Sequence, residues 1–289
     1  MRKSYSLKKD ILPFQKDLPT VSLSKLLDEY LNFQDCKLIL FDLETLGLNP
    51  NFEYEQITQL SASVVNGNNM EIIETLNCGV QLNESALTLI NDPTSVERIN
   101  WVDRQNKRRG NAFDNPAEIL NMTHYFDLPP ENNMKESDVI SKFIDLVHKY
   151  ENVIVVAHNA KFDVKFMTVR SSKYEKKFPI TKTLDTLKLS RYFFSPLILK
   201  LAKHMDVVDI YNALFRQRKD FGHISSKLGE LAYALNIDSS SWHSADADVK
   251  MMYEVLKFML KFFEKHKNED IISYQKQILK RNIGKYKSK

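Results

Sequence analysis

The apolar run Leu38 to Phe41 ends in Asp42-Leu43-Glu44, and this junction constrains the chain more than any other stretch. A strand repeats its side-chain direction every second residue, so Asp42 and Glu44 project from one face of it. Two anions at the rim of an apolar strand repel each other and resist desolvation, and a divalent cation between them is the usual remedy. The stretch therefore reads as half of a metal site. An Asp-x-Glu pair by itself is also what a solvated strand end looks like, so the reading depends on the rest of the chain.

Two further segments complete it. Residues 153–163 read VIVVAHNAKFD, a β-branched run of the kind that makes a buried strand, then a polar turn and Asp163 ahead of a helical pattern. Residues 243–248 read HSADAD, followed by Val249, Met252, Tyr253, Leu256, Met259 and Leu260 at helical spacing. At about 100° per residue, positions five apart on a helix point about 140° away from each other. His243 thus belongs just before the helix and Asp248 in its first turns, while Ala245 and Ala247 allow close approach to a sheet.

Asp42-x-Glu44, Asp163 in AHNAKFD and His243-x-Ala245-x-x-Asp248 together resemble the three motifs of the DEDDh (DnaQ-like) 3′-to-5′ exonucleases, in the family's order. Thr123-His124, Leu184-Asp185-Thr186 and Lys227-Leu228-Gly229-Glu230-Leu231-Ala232 match at further places, and the likeness covers roughly residues 37–262. The resemblance implies a ribonuclease H-like α/β fold, a mixed β-sheet flanked by α-helices. It also implies two divalent metal ions, magnesium or manganese, held by Asp42, Glu44, Asp163 and Asp248. His243 would take the proton from the attacking water, a role that an imidazole pKa of about 6.5 allows near neutrality. Thr45, Leu48, His124 and Asn159 fall where similar enzymes contact the terminal nucleotide. Tyr125 and Phe126, next to His124, fit either base stacking or core packing. Leu46 stands where the family commonly has Thr or Ser, and residues 91–115 and 195–223 look longer than in compact members, which bears on substrate choice.

Periodicity agrees with that fold independently. Strands are expected at 37–44, 57–65 and 72–80, with the turn Asn66-Gly67-Asn68-Asn69 making the last two part of an antiparallel meander. A helix at 136–149, with Ser137 as its capping candidate, leads into the Val153 strand, and helices dominate afterwards. Strand runs feeding strand–helix alternation favour a mixed sheet covered by helices.

With 289 residues, 43% of them hydrophobic, and no Gly/Pro/Ser-rich linker, the expectation is one catalytic domain over 37–262. An N-terminal extension covers 1–36, with a short amphipathic helix at 21–31, and a basic C-terminal tail covers 263–289. Cys36 and Cys78 show no metal-ligand pattern, so the implied metal is a hard cation on carboxylate oxygens rather than zinc. Net charge is +4, yet residues 261–289 alone hold nine Lys/Arg against three Asp/Glu. Further basic clusters stand at 104–109 and 216–219. Such clusters beside an acidic centre suit a polyanion, and equally a solvated surface. No run is long enough to span a bilayer, so a soluble, intracellular, cytoplasmic protein without a membrane partner is expected.

The expected substrate is the 3′ end of a nucleic acid, single-stranded DNA ahead of RNA, with nucleoside 5′-monophosphates as product. The alternatives are an RNA-processing 3′-to-5′ exoribonuclease, a polymerase-associated proofreading subunit, and a non-catalytic nucleic-acid-binding scaffold. Intact residues at all five catalytic positions argue against the scaffold. A polymerase partner suits the family, and no residue indicates one.

Overall fold

Strand β1 (Lys37–Thr45) occupies the interior of a six-stranded sheet whose order is β4-β3-β2-β1-β5-β6. The computed structural model describes residues 10–13, 17–109, 115–129, 133–179, 182–205, 207–216, 224–240 and 242–287. β2 (Ile57–Asn66) and β3 (Ile72–Val80) form the expected antiparallel meander with β1. β5 (Val153–Ala157) pairs parallel to β1, β6 (Lys182–Asp185) parallel to β5, and the two-residue β4 (Asn133–Met134) parallel to the end of β3. The mixed sheet is flanked by helices, as the motifs implied.

The helices run in chain order. α1 (Leu23–Lys25) precedes β1; α2 (Glu84–Asn91), α3 (Val96–Arg109) and α4 (Pro116–Met122) lie between β3 and β4; α5 (Glu136–His148) and α6 (Ala160–Lys173) bracket β5. After β6 come α7 (Thr186–Leu189), α8 (Ser195–Leu201), α9 (Val208–Arg216), α10 (Leu228–Ala234), α11 (Ala245–Lys265) and α12 (Ile272–Lys287).

Strand parity sorts the core into two layers. Leu38 and Leu40 of β1 face the same cluster as Ile154 and Val156 of β5 and Val249, Met252, Leu256 and Met259 of α11. Ile39, Phe41 and Leu43 face the opposite cluster, with Phe143 of α5 and Phe166 and Met167 of α6. Each such fully buried aliphatic or aromatic side chain contributes roughly 1.5–3 kcal/mol of transfer free energy. Asp42 and Glu44 continue the Leu38–Leu40 stripe by parity, so they emerge on the α11 side. A third cluster joins Leu46 and Tyr54, just after β1, to Ala86, Leu89, Trp101, Ile119 and Leu120 of the α2–α4 insertion and to Tyr125 just beyond it.

Several local expectations shift. α6 begins at Ala160, so Asp163 lies in its first turn and not ahead of it. Ser137 does not cap α5; Lys135 occupies that position with no side-chain bond, and Ser137 Oγ donates to Asp138 instead. The first-turn Glu136 is drawn inward, where it accepts from Ile57 N at 2.9 Å and pairs with the buried Arg170. The helix expected at 21–31 starts under a Ser22 cap and continues as a π-turn at Leu26–Tyr30, with Leu23 and Leu26 fully buried. Ile271, just before α12, and Gln275 and Leu279 on it, spaced four apart, are buried as well. Among the described residues, no helix is long and apolar enough to cross a membrane.

Candidate active site

Asp42 and Glu44 come from the end of β1, and Asp248 from the fourth residue of α11. Oxygens of these three carboxylates lie within 4.8 Å of one another. Asp248 belongs to the stripe Ala245, Val249, Met252, Leu256 and Met259 that presses α11 onto the sheet, so packing aims its carboxylate at β1. Asp163, in the first turn of α6 and only 2% exposed, is close enough to raise the pKa of both Asp42 and Glu44. The four acids thus converge from three elements.

Their electrostatics are those of an uncompensated anion cluster. Burial is the leading cause that holds Asp42, Glu44 and Asp163 well above the usual carboxylate range, with neighbouring carboxylates adding to it. Burial likewise pushes Asp248 up to about 7, against one opposing hydrogen bond from the His243 backbone. Asp42 and Glu44 keep part of their surface open, which gives the cluster a mouth. A set of oxygen donors only, crowded and short of positive charge, fits a hard divalent cation.

His243 precedes α11 in the left-handed region, φ 76°, and its N–H points to Asp248 Oδ1 at 3.4 Å. The Trp242 indole stacks on its imidazole, with centroids 4.4 Å apart and planes 14° from parallel. Gly229 of α10 makes room for that indole, since a Cβ at this position would lie 2.5 Å from the ring. His124 and Asn159 also adopt positive φ, 56° and 73°. Three of the sequence-expected site residues therefore sit in a conformation that costs a non-glycine residue about 1 kcal/mol or more and persists only where surroundings enforce it.

The four residues expected to contact a nucleotide each have a defined local setting. Thr45 is buried and its hydroxyl donates to Gly47 O at 2.6 Å, which shapes the chain just past the acidic strand end. A bulge at this point, with Glu44 opposite Gln59 but Thr45 opposite Ile57, re-aims the strand. Leu48 is half-buried on the following bend, and Asn159 is exposed with its N–H on Asp185 Oδ1 at 3.2 Å. His124 is half-exposed and bonds Asp127 through Nδ1 at 2.9 Å. Tyr125 packs in the core with its hydroxyl on Val80 O, whereas Phe126 stays 59% exposed.

Other residues take structural parts. Asp185 caps α7 by accepting from Leu187 N and Lys188 N. Asp246 pairs with Lys250 at the surface, and Asp206 lies outside the described residues. His158 bridges Ser226 O and Thr186 Oγ1, and burial pushes it down to about 4, so it is neutral. Of the basic cluster at 104–109, Arg104 is engaged internally: it bonds Glu55 at 2.8 Å and Tyr54 OH at 2.9 Å, and lies 4.0 Å from the Phe52 ring centre. Most of the cluster at 216–219 lies outside the described residues.

The mixed sheet with an acidic centre at the end of its interior strand is the arrangement that the exonuclease motifs implied. Residues 7–198 match the family model described as DNA polymerase family B, exonuclease domain, and the chain belongs to that family. The match takes in Asp42, Glu44 and Asp163 and ends before His243 and Asp248. Among curated proteins, the chain is 28% identical over 164 residues to a DNA polymerase III PolC-type of Pediococcus pentosaceus, covering 56% of this chain and 9% of the relative. It is 26% identical over 233 residues to the PolC-type polymerase of Ureaplasma parvum, covering 79% of this chain and 12% of the relative. The chain thus spans about a tenth of the length of these relatives. Among solved structures, E. coli Exonuclease I in complex with a dT13 oligonucleotide superposes with a TM-score of 0.47 at 16% identity, over 77% of this chain and 40% of that one.

Proposed function

We propose that this chain is a 3′-to-5′ exonuclease that removes nucleoside 5′-monophosphates from the ends of single-stranded DNA. The observation that carries the reading is the convergence of Asp42, Glu44 and Asp248, with Asp163 beside them, at the mouth where the left-handed His243 and Asp248 meet. Asp42, Glu44, Asp163 and Asp248 would hold two divalent ions, magnesium or manganese, which when bound stabilise the charge on the attacking and leaving oxygens. The acids supply the anchoring charge. His243 accepts the proton of the attacking water as the new O–P bond forms and the bond to the 3′ oxygen breaks; that oxygen leaves protonated as the new 3′ end. Thr45, Leu48, His124 and Asn159 seat the terminal nucleotide.

A second reading has its own support. The two curated relatives are PolC-type DNA polymerases, so action beside a polymerase, removing misincorporated nucleotides, is the natural biological setting to examine.

The test is digestion of matched 5′-labelled DNA and RNA oligonucleotides, single-stranded and duplex, with magnesium and with EDTA. The expected result is a ladder shortening from the 3′ end, fastest on single-stranded DNA and abolished by EDTA. Undiminished activity in excess chelator, or attack only from the 5′ end, rejects the assignment.

A further inference from the structure

Gln59 lies on β2 directly opposite Glu44 and is 4% exposed. Its side-chain Nε2 donates to Thr123 O at 2.5 Å, and its Oε1 accepts from Ala245 N at 3.3 Å. One partner is a carbonyl and the other an N–H, so the amide has one orientation that satisfies both. Ala245 is the first residue of α11, whose N-cap Ser244 makes no side-chain bond. A helix start leaves N–H groups without intrahelical partners, and here a residue from the neighbouring sheet takes up one of them. Thr123 immediately precedes His124.

One neutral side chain therefore holds two turns, at φ 56° for His124 and φ 76° for His243. β2 is buried from Ile57 to Val65, so an amide at Gln59 costs desolvation that an aliphatic residue would avoid. The two bonds are what offset that cost. Neutrality matters too: a carboxylate opposite Glu44 would add to the acidic cluster, and a cation would compete with a metal for it.

We propose that Gln59 is a positioning residue that ties the nucleotide-facing turn at Thr123–His124 to the turn carrying His243, so that both are set from the same point on the sheet. What the two turns do rests on the exonuclease reading above; the link itself does not.

The experiment uses Gln59→Met, which keeps length and loses both bonds. Hydrogen exchange at the Ala245 amide should quicken about tenfold or more, the loss of one protecting bond at a helix start. Turnover at saturating 5′-labelled oligo-dT should fall by about tenfold or more, as misplacement of a reacting group does, with the magnesium concentration for half-maximal rate unchanged. In a His243→Ala background the same substitution should cost less than about twofold further, because both act through one step. An equal fold-loss in both backgrounds, or unchanged Ala245 exchange, overturns the proposal. Should Gln59→Met fail to fold, Gln59→Asn, which withdraws the amide by one methylene, is read the same way. If the wild-type chain releases nothing from 3′ ends, the exonuclease reading falls, and the Ala245 exchange still decides the link.

Discussion

The indole of Trp242 lies flat against the imidazole of His243, ring centroids 4.4 Å apart, and Gly229 of α10 is what lets it lie there. The ring stacked on His243 thus lies close against α10. Trp242→Ala should lower turnover about tenfold with KM little changed, since a misaimed base affects the step and not the binding. Gly229→Ala drives a methyl into the indole and should cost about 1–3 kcal/mol of stability by overpacking. Steady-state kinetics and thermal melts of the two variants check this. Trp242→Ala with full turnover would show that the stack does not orient His243.

The acidic cluster predicts an unusual pH dependence of stability in metal-free protein. Native pKa values of Asp42, Glu44, Asp163 and Asp248 are raised, so the folded state binds these protons more tightly than the unfolded state. Their contribution is fully present below the unfolded carboxylate values and is lost as pH rises through the native ones, about 7 for Asp248. In EDTA the melting temperature should therefore fall between pH 5 and pH 8, and Asp42→Asn should flatten the fall. Magnesium should restore stability at pH 8, by about 2.7 kcal/mol at a hundredfold excess over its dissociation constant.

His243 and Asp248 should separate by function. On the proposed reading Asp248 is a metal ligand, so calorimetric titration of Asp248→Ala should show weakened metal binding together with lost turnover. His243→Ala should lose about two orders of magnitude in rate or more, within the range for general-base removal, and keep its metal affinity. Comparable loss of affinity in both variants would reject the general-base role.

The α2–α4 insertion braces the chain after β1. Trp101 Nε1 donates to Leu46 O at 3.1 Å, and Arg104 pairs with Glu55, whose other oxygen accepts from Asn49 N at 2.6 Å. Gly47 fits there because a Cβ at this position would collide with that carboxylate. Arg104→Ala would strand the buried Glu55 and should cost on the order of 3 kcal/mol, while Arg104→Ala with Glu55→Gln should recover part of it. Because Thr45 and Leu48 flank this brace, KM for a 3′ end should rise more than turnover falls. Denaturant melts and kinetics on the single and double variants measure both effects.

Much of this architecture was legible because it rests on parity. Leu38, Leu40, Asp42 and Glu44 share a face in any strand, and the 3–4 spacing from Ala245 to Met259 sets the face of α11, so the convergent acids of these two elements could be read from local pattern. What could not be read depends on contacts remote in sequence. Arg104 looked like part of a basic surface because its partner Glu55 lies 49 positions away and the insertion that folds it back has no motif. Gln59, Ser61 and Ser63 fall at alternate positions of β2, the pattern of a solvated strand face, yet all three are buried because α11 covers that side. Ser137 misled because a capping type is found in first turns as well as at caps, and Glu136 was pulled inward by Arg170, a partner that local pattern does not reveal.

The basic C-terminal segment predicts its own salt dependence. Gln275 and Leu279 bury one side of α12 in line with the preceding Ile271, and Gln275 Nε2 bonds Tyr192 O at 3.0 Å. Truncation after Lys261 would therefore strip core residues along with charge. Lys276 and Lys280, four apart and both exposed, stand on the other side and can be neutralised without touching that packing. If this face meets the phosphate backbone upstream of the scissile end, each phosphate that a lysine no longer neutralises on a single strand reduces the slope of log affinity against log salt by about 0.7. Lys276→Ala with Lys280→Ala should thus flatten the slope on a long oligonucleotide by about 1.4, and leave the melting temperature and cleavage of a dinucleotide unchanged, since neither lysine belongs to the acidic centre. Equal slopes for the wild type and the double variant would mean that these lysines serve only to solvate the helix.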